Sequence, residues 1–130
     1  MSNFTDLFPQ ASGSGGGGGT EILDVQEFTS SGTFSPSSAG LSVGDNIIIL
    51  CVAGGGSGSR RFGSNADCVF GAGGGQVKYK THTLTSTSNI SVTVGAGAAR
   101  GSHGADGLAG GTSSFGSIVS CTGGTKGIAM

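Results

Sequence analysis

The sequence predicts an all-β domain: a small, jelly-roll-like β-sandwich with long glycine-rich loops, one of them in a polyproline II-like conformation. Glycine supplies 29 of the 130 residues, yet the apolar residues cluster into short runs between the glycines. In a disordered chain we would expect apolar residues to be few and evenly scattered. Those runs are rich in β-branched residues, and none keeps a helical repeat beyond a single turn. A chain of this length forms one domain with a modest core.

The N-terminal segment differs in composition from the rest of the chain. Residues 1–20 read as a docking peptide followed by a glycine-serine tether, and residues 21–130 as the glycine-rich β domain. Phe4, Leu7 and Phe8 are spaced so that one helical turn places them on the same face, as in an anchor for a partner. The alternative is an ordinary frayed terminus.

Five segments have the composition and length of β-strands. The run NIIILCVA is continuously apolar and is predicted to be the central strand, buried on both faces. Residues 76–84 alternate, with Val77 and Tyr79 on one face and Lys78 and Lys80 on the other, and a short connection to the next segment suits a hairpin. The predicted strands are residues 21–28, 46–53, 76–84, 89–94 and 117–121.

Glycine recurs every third residue in the second long loop, residues 95–116. The polyproline II helix has three residues per turn, so this spacing gives it one bare face against which another backbone can lie. The segment is therefore predicted to run extended for about 30 Å, packed against its own chain or a sister chain, although three triplets can also arise by chance. The glycines of this face are Gly101, Gly104, Gly107 and Gly110.

Charge, hydropathy and cysteine content exclude several classes of partner. Six basic residues against seven acidic ones give a net charge of -1, which argues against nucleic-acid binding. No apolar stretch approaches the roughly 20 residues of a membrane span, and the first residues lack a secretion signal, so we expect a soluble protein without membrane insertion. Cys51, Cys68 and Cys121 are odd in number and lack CxxC spacing, which predicts reduced, buried thiols.

Catalytic motifs are missing from the sequence. Gly95, Gly97 and Gly101 suggest a dinucleotide loop, but Arg100 stands where that pattern needs its third glycine. There is no GxSxG elbow, and His82 and His103 carry no metal-ligand or triad spacing. We therefore predict a protein that is not an enzyme, with no catalytic residues, metal or cofactor.

The order of six motifs along the chain resembles a known family. They are SGTF, IIILCVAGGG, GAGGGQVKY, VTVGAG, GGTSSFGS and SCTGG, within residues 28–127. In this order they are similar to the glycine-rich domain of tailed-bacteriophage tail-fibre and tail-tip proteins, which include adhesins.

The resemblance implies a virion structural protein, a tail-fibre or tail-appendage subunit assembled in the host cytoplasm and exposed on the virion surface. It implies a homotrimer with other virion proteins as partners and contact with a host cell-surface receptor. Phe4, Leu7 and Phe8 become the virion anchor, and the exposed contact loop comprises Arg60, Arg61, Phe62, Asn65 and Asp67. Two alternatives stay open: a head decoration (cement) protein stabilising the capsid shell, and a ligand-binding module that stacks sugars on Phe62 or Phe70.

Overall fold

The computed structural model describes residues 24–60 and 70–129, and these residues form six β-strands and no helix. The all-β class predicted from the sequence is confirmed. The proposed anchor residues Phe4, Leu7 and Phe8 lie outside the described residues. The strands are β1 (Gly32–Phe34), β2 (Asn46–Val52), β3 (Val77–Thr83), β4 (Ile90–Thr93), β5 (Ser113–Phe115) and β6 (Val119–Cys121).

The strands form two antiparallel sheets that pack as a small sandwich. One sheet has four strands in the order β1-β4-β5-β6, and the other pairs β2 with β3. The β2–β3 register runs from Asn46 opposite Thr83 to Val52 opposite Val77. The predicted sandwich is therefore confirmed, with the four-stranded sheet as its larger layer.

The core lies between β2 and the edge of the larger sheet. Ile49 and Cys51 of β2 pack against Val119 and Cys121 of β6, and Cys121 is fully buried. A second buried region surrounds Phe34, Val92 and Leu84 on the β1–β4 side, where the rings of Phe34 and Phe115 lie 5.4 Å apart. These residues belong to both sheets, so the core holds the two layers together.

Three strand predictions are wrong, and two strands were missed. The run 46–53 is buried on one face only, because β2 pairs with a single strand and covers the larger sheet with one side. Residues 24–28 form no strand. The segments 76–84 and 89–94 do not form a hairpin, since β3 and β4 belong to different sheets. The short strands β1 and β5 were not predicted, and β5 lies within the presumed loop 95–116.

All the long glycine-rich segments meet the sandwich at the same end. The strands alternate in direction, so the segments after β2, β4 and β6 leave at the end where the segments before β3 and β5 return. The opposite end carries the connections 35–45 and 84–89. The sandwich thus gathers the glycine-rich chain on one side.

Candidate functional site

Five extended segments pack side by side beyond the sandwich, and we call them the glycine bundle: residues 53–60, 70–76, 94–101, 105–112 and 122–129. The backbone hydrogen bonds between these segments recur at every third residue. Between 53–60 and 105–112 the amides of Gly54, Ser57 and Arg60 donate to the carbonyls of Gly111, Leu108 and Ala105, at 3.0, 2.8 and 3.2 Å. A three-residue interval is the repeat of polyproline II, whereas a β-strand repeats every two.

Segment 53–60 is the centre of the bundle, because it bonds to each of the other four segments. Gly56 donates to Gly73 at 3.0 Å, and the Gly55 carbonyl accepts from Ala98 at 2.8 Å. The amides of Gly124 and Gly127 donate to the carbonyls of Gly54 and Ser57 at 2.8 and 3.0 Å. Backbone groups that lack a sheet partner are thereby satisfied within the bundle.

Glycine is needed in the bundle for close approach between backbones. A Cβ atom built on Gly107 would overlap the carbonyl oxygen of Ser57, and one on Gly110 would overlap that of Gly54. The same holds for Gly124 against the Gly73 carbonyl. None of these glycines has a left-handed φ, so the absent side chain, and not a special backbone angle, explains them.

The four glycines of the predicted period-three face have different roles. Gly107 and Gly110 face neighbouring backbone, and Gly101 faces the carbonyl of Asp106. Gly104 has a φ of 74° in the turn formed by residues 102–105. The prediction of one continuous extended run is therefore wrong: the chain reverses at Gly104 and contributes two antiparallel segments. Glycine in a turn and glycine in a contact happen to keep the same spacing, so the sequence did not distinguish them.

The end of the bundle farthest from the sandwich, which we call the tip, comprises residues 59–60, 70, 102–106 and 126–129. The Phe70 amide donates to Ser59 Oγ at 3.1 Å, and the Ser59 amide donates to the Phe70 carbonyl at 3.2 Å. The Gly104 amide donates to the carbonyl of Arg60 at 2.8 Å. The turn at Gly104 therefore bonds directly to Arg60, and the neighbouring Ser59 bonds to Phe70.

An ion pair joins the C-terminal segment to the tip. Lys126 Nζ lies 2.8 Å from Asp106 Oδ2, and the Ala129 amide donates to Asp106 Oδ1 at 2.8 Å. The Lys126 ammonium and the Ala129 amide lower the pKa of the Asp106 carboxyl. The tip also exposes Phe70, so it combines charged, hydrogen-bonding and aromatic groups.

The predicted contact loop is only partly described. Arg60 lies at the tip, half-buried, with its backbone bonded to the turn residues. Arg61, Phe62, Asn65 and Asp67 lie outside the described residues. Sequence reasoning did not single out Asp106 and Lys126, because residues twenty positions apart give no signal that they meet across the bundle.

The two described cysteines are buried free thiols, as predicted. Cys121 Sγ donates to the Cys51 carbonyl at 3.1 Å, and Cys51 Sγ donates to the Ser113 carbonyl at 3.5 Å. Burial, and then the neighbouring Cys121 thiol, raise the pKa of Cys51 from 9.0 to about 11. Cys51 is therefore a neutral, unreactive part of the core at ordinary pH.

Neither a metal-binding cluster nor a membrane-spanning helix occurs in the described ranges, 24–60 and 70–129. These residues contain no group of three or more His, Cys, Asp or Glu side chains placed to hold a metal ion. They also contain no helix long and apolar enough to cross a membrane.

Comparison with known proteins gives one match. No curated protein and no solved structure matches this chain. Residues 29–130 match a family described as "Glycine-rich domain". The matched region contains all six strands and every segment of the glycine bundle. This chain therefore belongs to the glycine-rich domain family.

Proposed function

We propose that this protein is a structural subunit of a tailed-phage virion, a tail-fibre or tail-appendage protein that assembles as a homotrimer. In this proposal Phe4, Leu7 and Phe8 attach it to other virion proteins, and the tip contacts a host cell-surface receptor. Its role is mechanical and adhesive, with no catalytic step. The observation that supports it best is the glycine bundle, which brings distant parts of the chain together at one tip.

The tip has the properties of a presenting surface. Its turn and loop ends are bonded to the bundle through their backbone, so replacing the side chains of Arg60 and Phe70 leaves those backbone hydrogen bonds in place. Loops held by a rigid scaffold are common carriers of binding function. Exposed Phe70 and the Asp106–Lys126 pair offer apolar and charged groups within the same small area.

N-terminal attachment is compatible with an outward-facing tip. The Val94 amide donates to Ser31 Oγ at 3.0 Å, so the chain enters the domain where the sandwich meets the bundle. Seven-residue strands such as β2 span about 23 Å. The preceding twenty-odd residues can reach up to about 75 Å when extended, enough to pass the sandwich to an attachment point behind it.

Adsorption of phage particles tests the receptor contact. Particles carrying either Phe70→Ala or Arg60→Ala are expected to bind host cells roughly tenfold more weakly at equilibrium, the loss expected for about 1.4 kcal/mol of contact energy. Val43→Ala is the matched control, because Val43 is also exposed but lies in the turn before β2, at the opposite end of the sandwich. Normal adsorption by both variants, with normal subunit content, would remove the receptor contact from the proposal.

Copy number and position in the particle test the virion role. A tail fibre or appendage is expected in small multiples of three per particle, and antibody labelling should mark the tail. Hundreds of copies on the head would contradict the tail assignment and identify a decoration protein. Absence from purified particles would overturn both.

A further inference from the structure

The outer face of the β2–β3 sheet has an unusual composition, and we call it the apolar face. It carries Ile48, Leu50 and Val52 from β2, and Val77 and Tyr79 from β3. These five side chains are between 40% and 62% exposed. Leu50 lies directly opposite Tyr79 and Val52 opposite Val77, so they form one continuous patch.

The orientation of this sheet is fixed by its inner face. Lys78 Nζ donates to the Ser120 carbonyl at 2.6 Å, and Lys80 Nζ donates to the Ile118 carbonyl at 2.8 Å. On the same inner side, Ile49 and Cys51 enter the core. Reversing the sheet would remove these contacts, so the apolar side chains of β3 point outward while its lysines face the larger sheet.

The apolar face is built like the centre of an interface. Large contiguous apolar patches are uncommon on the surface of soluble monomers, and those that occur commonly mark interaction sites. The ends of the apolar face are polar but uncharged, since Thr83 Oγ1 donates to Asn46 Oδ1 at one end and Gln76 Oε1 accepts from Thr122 at the other. An apolar centre within a polar rim is the usual arrangement of a protein interface.

We propose that the apolar face is the surface through which copies of this chain associate. Three copies can bring this patch together around a three-fold axis, each against its neighbours, because the patch carries no charge and no like charges meet there. The net charge of -1 adds little long-range repulsion between copies. Sheets that pack face to face lie about 10 Å apart, and this allows the five side chains to interdigitate with those of a neighbour.

This inference deepens the proposed homotrimer by naming its contact surface, and it does not depend on the location in the virion. Its first test is mass in solution by light scattering. The wild-type protein is expected to be an oligomer, and Leu50→Lys or Val77→Lys should reduce the mass to that of one chain, 12.4 kDa. Leu108→Lys is the matched control, because Leu108 is as exposed as Leu50 but lies in the glycine bundle.

Tyr79 provides a second test that needs no substitution. It is the single tyrosine in the sequence, tryptophan is absent, and it lies at the centre of the apolar face. Association should shield its fluorescence from acrylamide at high protein concentration, and dilution should increase the quenching. If circular dichroism shows that Leu50→Lys does not fold, the milder Leu50→Gln variant and the quenching of Tyr79 still test whether the apolar face is the contact surface.

The possible outcomes distinguish two claims: that the protein is an oligomer, and that the apolar face is the surface through which its copies associate. An oligomer whose mass is unchanged by Leu50→Lys and Val77→Lys would overturn the apolar face as the contact surface and leave the trimer standing. A wild-type monomer, with Tyr79 equally quenched at all concentrations, would overturn both. Neither result bears on whether the protein is found in phage tails, which is the separate test of the proposed function.

Discussion

Gly107 and Gly74 illustrate two different situations for glycine within one bundle. At Gly107 a Cβ would overlap the Ser57 carbonyl, whereas at Gly74 it would meet nothing within 4 Å. We expect Gly107→Ala to lower the free energy of unfolding by about 1–3 kcal/mol or more, since one of the two backbones must move. Gly74→Ala should be neutral or stabilising by about 0.4–1 kcal/mol, because it restricts the unfolded chain. Equal losses in denaturant titrations would contradict the packing described here.

The Cys51 thiol gives stability a dependence on alkaline pH. Its pKa is raised in the folded state to about 11, so the unfolded chain releases this proton first as pH rises. The free energy of unfolding should therefore be unaffected by Cys51 below about pH 9 and fall between pH 9 and 11, by up to about 2 kcal/mol. The measurement is a denaturant titration at each pH. Cys51→Ala should be less stable at pH 7 but should show a shallower decline, and an identical decline in both proteins would rule out this origin.

At the scale of elements, Asp106 connects two segments of the bundle near the tip. Its pKa is lowered by Lys126 and the Ala129 amide, so its contribution is present at neutral pH and is lost as pH falls through the lowered value. Asp106→Asn should speed hydrogen exchange of the Gly107 amide, which donates to the Gly127 carbonyl across the same two segments, and of the Gly127 amide, which ties the C-terminal segment to the Ser57 carbonyl.

Asp45→Asn is the matched control for this exchange experiment. Asp45 Oδ2 accepts from the Ser42 amide at 2.8 Å at the opposite end of the sandwich. It should leave exchange at Gly107 and Gly127 unchanged. If both variants accelerate exchange equally, Asp106 does not act through the tip.

The sequence predicted elements where one physical signal dominates. Alternation in 89–94 was sufficient for β4, because Val92 points to the core and Ser91 to solvent. In β3 alternation separated the two faces correctly but could not tell which one is inward, since that depends on where Lys78 and Lys80 find carbonyl partners. Three-residue strands such as β1 are too short to show a pattern.

The glycine bundle was only partly predictable, because only part of it shows a repeated pattern in the sequence. A period of three was visible around Gly107 and Gly110 and led to the idea of a glycine face. In the C-terminal segment Gly124 and Gly127 offer a single interval, which carries no statistical weight. Its place beside segment 53–60 depends on contacts between residues about seventy positions apart. Such contacts are set by the packed chain and leave no local trace.

At the scale of the whole molecule, the described core and bundle are assembled from residues 34–129. Removing residues 1–12 should therefore leave the thermal unfolding midpoint of the domain unchanged. Because the proposed function assigns virion attachment to this segment, its removal should also prevent incorporation into particles. Calorimetry and protein content of purified particles measure the two effects. Removing residues 122–129 is the contrasting control, because it strips four backbone hydrogen bonds donated or accepted by Gly124 and Gly127 and should lower the midpoint. Normal incorporation of the first variant would place the attachment elsewhere.

The bundle holds its segments together through backbone atoms, with glycine at the contacts. Side chains that point away from those contacts, such as Leu108 and Ile128, take little part in maintaining the arrangement. Substitutions at such positions are therefore expected to leave the scaffold intact, whereas substitutions of the inward glycines would force neighbouring backbones apart. A lineage of such proteins can change the chemistry that it displays to its surroundings while inheriting the same backbone. Diversification and architectural constancy thus follow from one residue type placed at regular intervals.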